Sequence, residues 1–385
     1  MRKPGTAAVS PRGVLAATVT PLASILGSGL LIVVPVLERT LGALAVLGAI
    51  AVSAVAWSVG TAVRHGVRVV EPLEDAGELD PVTARLGWLA DGVIAVAYVI
   101  SVALYLRIMA VYLVSYLLGG GSVVAERVVA CGAVVLIVAI GIVRGFSGLD
   151  KLDRVTLVAV LGLTTVLGAT LFLHNRHVLL GDAELTLPPI PDQGIVATLL
   201  VLGGIVITVQ GFETVRYLAD EYNAETRVWA SRLAQGIAAS IYVGFVLVAT
   251  PVMGLGTDAG ADETLLDITA RVAPFLAFPL VASAVLSQFS AAVADTAAAD
   301  GDLRRLSPWM RGPRPFLVGG FAAIALAATV DTYLIVALAS RAFAAYYAIQ
   351  AVVALRTTES LPKKIGFGVL AALMCSITLF AQPVD

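Results

Sequence analysis

The sequence is poor in the residues on which most soluble activities rely. It has two cysteines, three histidines and only 14% charged residues in a chain of 385. Cys131 and Cys375 both sit in apolar runs, which points away from a disulfide and from a thiolate metal site. His65, His174 and His177 fall in or beside loops, so a histidine relay at mid-membrane depth is excluded. A net charge of −2 offers no basic excess for a nucleic-acid partner. There is no G-x-x-x-x-G-K loop to cradle a nucleotide, and no covalent chemistry or enzyme is implied. No metal site is expected.

What the chain does have is apolar length. Hydrophobic residues make up 59% of it, and the mean hydropathy is +0.93. A soluble core of this size cannot hide that much apolar surface, so the composition defines an all-α polytopic membrane protein in a lipid bilayer. Runs of the ~20 apolar residues that a span requires predict eleven: roughly 14–37, 41–63, 86–118, 122–144, 155–173, 194–219, 233–255, 273–298, 315–330, 333–355 and 365–380. The first follows Arg2, Lys3 and Arg12, is too long for a signal peptide and lacks a small-residue cleavage pattern. With the N-terminus placed in the cytoplasm, nineteen of the 25 Lys and Arg residues fall on the inner side and four on the outer. Such asymmetry at alternating loops is the positive-inside pattern, and it predicts a multi-pass cell-membrane protein with a cytoplasmic N-terminus. The outer loop 256–272 carries Asp258, Asp262, Glu263 and Asp267 and is expected to form a short amphipathic helix.

Within the first span, Ala23-Ser24-Ile25-Leu26-Gly27-Ser28-Gly29-Leu30 breaks the pattern of an ordinary membrane helix. Each glycine lowers helix propensity by about 1 kcal/mol. Unpaired backbone at that depth is tolerated only when buried in protein or lining a cavity. The stretch therefore predicts a broken helix. Span six carries a second glycine among polar residues, in Thr208-Val209-Gln210-Gly211-Phe212-Glu213-Thr214. The two spans are five apart and cross in opposite directions. Interrupted helices in corresponding positions of two halves mark the binding site of inverted-repeat transporters.

These residues resemble those of the amino acid–polyamine–organocation (APC) transporters. Leu26-Gly27-Ser28-Gly29-Leu30 is similar to the family's G-S-G segment in its first helix. Gly211-Phe212-Glu213-Thr214, with Glu221, Asn223 and Arg227 after it, is similar to the helix-six stretch and the following loop. Ala224 stands where the family often has proline, and Asp300-Gly301 matches its "DG" loop. The likeness covers spans one to eight and fades in the tail, where members usually carry twelve helices. It implies a single transporter domain of the LeuT-type five-plus-five fold, with interrupted helices 1 and 6. Repeat one would cover 14–173, repeat two 194–355, and an extra helix 365–380. It also implies alternating-access secondary transport of amino acids or related small amines.

The expected substrate site follows from the breaks. N–H groups of Ser28, Gly29 and Leu30 would open a half-helix and receive a carboxylate, with Gly27 as part of the break. Carbonyls of Val209, Gln210 and Gly211 would face an ammonium or cation, and Phe212 would be a gate or simply core. Tyr98, Tyr105 and Tyr112 form a seven-residue stripe on span three, with Tyr105 at the best level for a substrate; such stripes are also ordinary packing. Glu213 is an intramembrane acid, either a coupling group or a structural partner for an arginine. Ser287 and Ser290 share a helix face. In the sodium-coupled relatives that the resemblance brings in, hydroxyls here join helix-one atoms, which makes Ser24, Ser287 and Ser290 ion-site candidates beside the alternative of helix packing. The coupling ion would be sodium or a proton, and no other cofactor is expected. Span five has no lysine of the kind proton-coupled relatives place there, which tilts the expectation toward sodium or toward no ion coupling. Arg107, Asp295 and Arg341 are charges within spans; Glu213, Asp295 or an anionic substrate would pair the arginines, and Arg341 is close enough to the outer end to reach the interface. Two rivals remain: an inorganic cation such as potassium on the same scaffold, and a non-transporting membrane receptor or subunit.

Overall fold

The computed structural model describes residues 9–119, 121–145, 149–181, 187–192, 194–256 and 264–383. Among them every regular element is a helix. The helices are α1 (Pro11–Leu41), α2 (Ala45–His65), α3 (Glu71–Asp75), α4 (Pro81–Leu118), α5 (Val123–Arg144), α6 (Leu149–Leu180), α7 (Ile195–Gly203), α8 (Ala224–Ala249), α9 (Thr264–Val272), α10 (Ala277–Leu306), α11 (Arg314–Thr329), α12 (Thr332–Thr357) and α13 (Leu361–Phe380). Each of the eleven expected spans has a counterpart, and α9 supplies the helix expected in the loop before span eight. Eight described stretches are long and apolar enough to cross a membrane. At ~1.5 Å per residue α4 exceeds a ~30 Å hydrocarbon layer and projects beyond it.

Local chemistry sets the ends. Ser10 caps α1 by accepting from the Gly13 N–H at 3.0 Å. Asn223 caps α8 through the Thr226 N–H at 2.8 Å, which lets Ala224 take the first helical position. Asp80 caps α4 and accepts from Arg356 at the end of α12. Its bonds to the Thr83 hydroxyl and N–H, with Arg356 alongside, hold the carboxyl down at about 2. On the same arginine-rich face, Arg227 bonds Glu71 at 2.6 Å and Arg68 bonds Glu225 at 2.6 Å, tying α3 and the turn before it to the start of α8.

The packing has the signature of an inverted repeat. Corresponding members meet across the centre: α2 with α8, α4 with α10, and α5 with α11. Exchanged pairs match too, since α6 packs on α10 as α12 packs on α4. The most buried span is α4, which lies between α10, α12, α5 and α11. α1 lies against α8, α6, α10 and the segment that follows α7. α13 is the added element, laid along α12.

The two breaks differ. Span six is interrupted as expected: α7 stops at Gly203, tighter 3₁₀ turns cover 206–209 and 212–218, and Gly211 between them has φ +120°. Span one is not interrupted. α1 runs unbroken from Pro11 to Leu41 through Gly27, Ser28 and Gly29. In this conformation no half-helix opens at Ser28, Gly29 and Leu30, which corrects the expectation of a carboxylate cradle there. The reason is tertiary. A ~1 kcal/mol propensity loss per glycine is small beside the packing of four neighbouring elements.

Candidate functional site

The centre of the molecule is where α1 touches the interrupted segment. A Cβ at Gly29 would fall onto the Thr208 carbonyl and the Tyr242 hydroxyl. A Cβ at Gly211 would lie 2.5 Å from Ser24 Oγ and 2.8 Å from the Ile25 nitrogen. Both glycines therefore allow two backbones to meet, and Gly211 also holds a φ that L-residues rarely adopt. The Tyr242 hydroxyl of α8 donates to the Ile25 carbonyl and lies 3.1 Å from the Thr208 carbonyl, joining α1 to the segment. Tyr242→Phe should cost about 1–3 kcal/mol by removing the buried hydroxyl that bridges these two carbonyls. A lowered thermal midpoint in detergent would show it, and an unchanged midpoint would refute the bridging role.

Around this junction three polar side chains are almost fully buried. Gln210 Nε2 donates to the Tyr105 hydroxyl at 2.5 Å. Gln288 Nε2 donates to the Gly27 carbonyl at 2.6 Å. Glu213 Oε2 accepts from the Gly211 N–H at 2.9 Å and from the Tyr347 hydroxyl at 3.0 Å. In each case one side-chain oxygen, Gln210 Oε1, Gln288 Oε1 or Glu213 Oε1, has no hydrogen-bond partner. Aromatic rings wall the acid. Phe212 stacks on Tyr347 at 5.6 Å, and Tyr347 touches Tyr346 and Phe343 at 5.3 and 6.1 Å.

The structure brings together Gly27, Gly29, Tyr105, Gln210, Gly211, Phe212 and Glu213, with Ser24 beside Gly211. It sends others elsewhere. Val209 lines a cavity with Ile25, Gln235 and Tyr242. The side chains of Ser28 and Leu30 lie outside the described part of the structure. Ser287 bonds back to the Ala284 carbonyl at 3.2 Å and lines a cavity next to Gly27 between α1, α6, α8 and α10. Ser290 donates to Asp153 on α6 at 3.0 Å. Asp295 is hydrogen-bonded to Ser101 of α4.

The arginines are corrected in their partners. Arg107 is buried but pairs with Glu126 of α5 at 3.8 Å and reaches Thr332 at 3.4 Å, not Glu213 or Asp295. Arg341 is half-buried and donates to the Thr378 and Leu379 carbonyls at 2.7 and 3.0 Å. It caps the end of α13 and is not a buried charge of the site. Among the described residues no group of three His, Cys, Asp or Glu side chains is placed to hold a metal ion.

Sequence reasoning passed over Gln288, Tyr347, Tyr242, Asp153 and Glu126. Gln288 lies between the two serines that drew attention, and a polar residue inside a span was the signal available. Nothing in the alanine-rich run around Tyr347 marks it.

Paired inverted contacts around an interrupted helix, with buried polar groups at the interruption, define a membrane transporter of the LeuT-like class. A family model described as an APC superfamily transporter matches residues 7–381, and the chain belongs to that superfamily. It is 31% identical over 375 residues to an uncharacterized protein of Aquifex aeolicus (strain VF5), covering 95% of this chain and 90% of that one. Among solved structures, one mutant form of the manganese transporter of Eremococcus coleocola is 12% identical with a TM-score of 0.60. A second mutant form is 13% identical with a TM-score of 0.59. Each alignment covers 98% of this chain and 87% of the other. At such identity the likeness speaks for the fold.

Proposed function

We propose that the chain is a secondary transporter of a small amine, whose cationic group binds at Glu213 between α1, α4, α10 and the segment after α7. One observation carries this reading: the unpartnered side-chain oxygens at the junction, on Gln210, Gln288 and Glu213, are all acceptors. Buried acceptors without donors are costly. A cation bearing N–H groups supplies what they lack. The rings of Phe212, Tyr347 and Phe343 suit an alkylammonium, because aromatic faces attract cations and receive the carbon skeleton. An amino acid would need α1 to open at Ser28, Gly29 and Leu30 to accept its carboxylate. In this reading the N-terminus is cytoplasmic, and repeats 14–173 and 194–355 rock to expose the junction to each side in turn.

A second reading, an inorganic cation, is favoured by the tight closure of the junction. Tyr105, Gln210 and Glu213 line none of the cavities found beside Tyr112, Trp57, Ser287 and Phe316. The neighbouring folds of manganese transporters point the same way. Uptake into proteoliposomes separates the readings. Labelled amines, neutral amino acids, potassium and manganese would be offered in parallel. Saturable amine uptake supports the first; metal flux with no amine uptake overturns it. Glu213→Gln keeps the shape and removes the charge, so uptake efficiency should fall roughly 100-fold, the usual scale for losing one buried charge partner. Wild-type rates in that variant would remove Glu213 from the site.

A further inference from the structure

Between the junction and the arginine-rich face, the α4–α10 interface carries a titratable seam. On α4, Asp91, Tyr98 and Tyr105 recur every seven residues, with Ser101 between; on α10, Gln288, Asp295 and Asp302 recur at the same interval. Tyr105 and Gln288 belong to the junction already described. Further along, the Tyr217 hydroxyl lies 3.2 Å from the Tyr98 hydroxyl and donates to Asp302 at 2.9 Å. Asp302 is ~10 Å beyond Asp295 by helix rise, in the turn that carries Arg304 and Arg305.

Asp295 is the odd member. It is 4% exposed, and its hydrogen-bond partner is Ser101. None of the ion pairs among the described residues includes it. The titratable groups that reach it from packed elements are Glu213 on the interrupted segment and Tyr98 on α4, and neither brings a positive charge. The geometry around Ser101 is informative. Ser101 Oγ bonds Asp295 and also sits 2.9 Å from the Tyr98 carbonyl. A serine hydroxyl has one proton. With an ionised Asp295 both neighbours would be acceptors, and one contact would face oxygen to oxygen with no proton between. With a protonated Asp295 both contacts are satisfied: the carboxylic acid O–H donates to Ser101, and Ser101 donates to Tyr98. Glu213 is different, because its Oε2 already accepts from the Gly211 N–H and the Tyr347 hydroxyl. Two nearby acids in unlike surroundings divide the roles.

We propose that Asp295 is the proton-coupling site of the transporter, carrying the proton in the closed conformation while Glu213 remains the anion for the cargo. The coupling rests on the transport reading above; the protonation does not. When the α4–α10 seam opens toward Asp302, water reaches Asp295, its O–H bond breaks, and the proton passes to water, leaving a carboxylate. Rebinding a proton from the opposite face resets the site.

Infrared difference spectroscopy of the protein in nanodiscs at neutral pH, with no cargo, tests the protonation. The wild type should show a protonated-carboxyl C=O band that Asp295→Asn removes. Ser101→Ala should move the band to higher frequency, and Glu213→Gln should leave it in place. Absence of the band, or its loss in Glu213→Gln alone, overturns the assignment. In proteoliposomes, a pH gradient should drive accumulation of the amine and a sodium gradient should not. Asp295→Asn should lose gradient-driven accumulation while cargo exchange persists, and Asp300→Asn on the same helix should behave as wild type. Undiminished gradient-driven accumulation in Asp295→Asn refutes the coupling role. If no cargo is moved while the band behaves as stated, the transport reading fails and the protonation assignment stands.

Discussion

Gly29→Ala should abolish transport and lower stability by about 3 kcal/mol, the upper part of the range for overpacking a well-packed core, whereas Gly27→Ala should be tolerated. Two glycines separated by one serine are easily taken as one flexible unit. Their surroundings are unlike. A Cβ at Gly27 would make an ordinary contact with the Ser287 carbonyl at 3.7 Å. A Cβ at Gly29 has no room, because the Thr208 carbonyl occupies the space and belongs to the backbone. Relief would require α1 and the 206–209 turn to separate, breaking the Tyr242 bridge that holds them. Thermal unfolding in detergent and uptake in proteoliposomes would be measured on both variants. Gly132→Ala is the control, since nothing lies within 4 Å of a Cβ there. It should lose nothing and gain up to ~1 kcal/mol of helix propensity. Equal damage from the Gly27 and Gly29 changes would mean that the pair acts as a hinge, and that close approach is not its reason.

The same contrast explains what could be read from the chain. The spans were legible because a bilayer demands long apolar runs, and loop charge marks their ends. The break at Gly211 was legible because polar residues flank a glycine where lipid would forbid them. The state of α1 was not. Propensity is local, and the elements packed on α1 are distant in sequence: Thr208, whose carbonyl lies against Gly29, is 179 positions away. Side-chain partners were lost for a similar reason. Ser287 and Ser290 share a face by spacing, yet the register of α10 against α1 and α6 gives Gly27 to Gln288 and gives Ser290 to Asp153. Depth along a span fixes the level of a residue, and only helix packing fixes which neighbour it meets.

Arg107 shows this with the second large effect. From depth alone it was matched to Glu213 or Asp295; the register of α5 against α4 matches it to Glu126 in the first turn of α5. Arg107 Nε and Nη1 have no acceptors, so the pair is incompletely satisfied. Such a pair need not stabilise, because desolvation of two ions offsets much of their attraction. Removing one ion is another matter. Arg107→Met should destabilise the protein by about 3–5 kcal/mol, because it removes the cation that faces the buried Glu126 carboxylate. Arg107→Met with Glu126→Met should recover most of that loss, since both charges then leave together. Transport per folded molecule should change little in the double variant, because Arg107 does not touch the junction around Glu213. Chemical or thermal unfolding of the two variants gives the stability terms, and uptake normalised to folded protein gives the activity. A double variant as unstable as Arg107→Met would show that the pair is not what holds Arg107 in place. Loss of uptake in a stable double variant would return Arg107 to the substrate path.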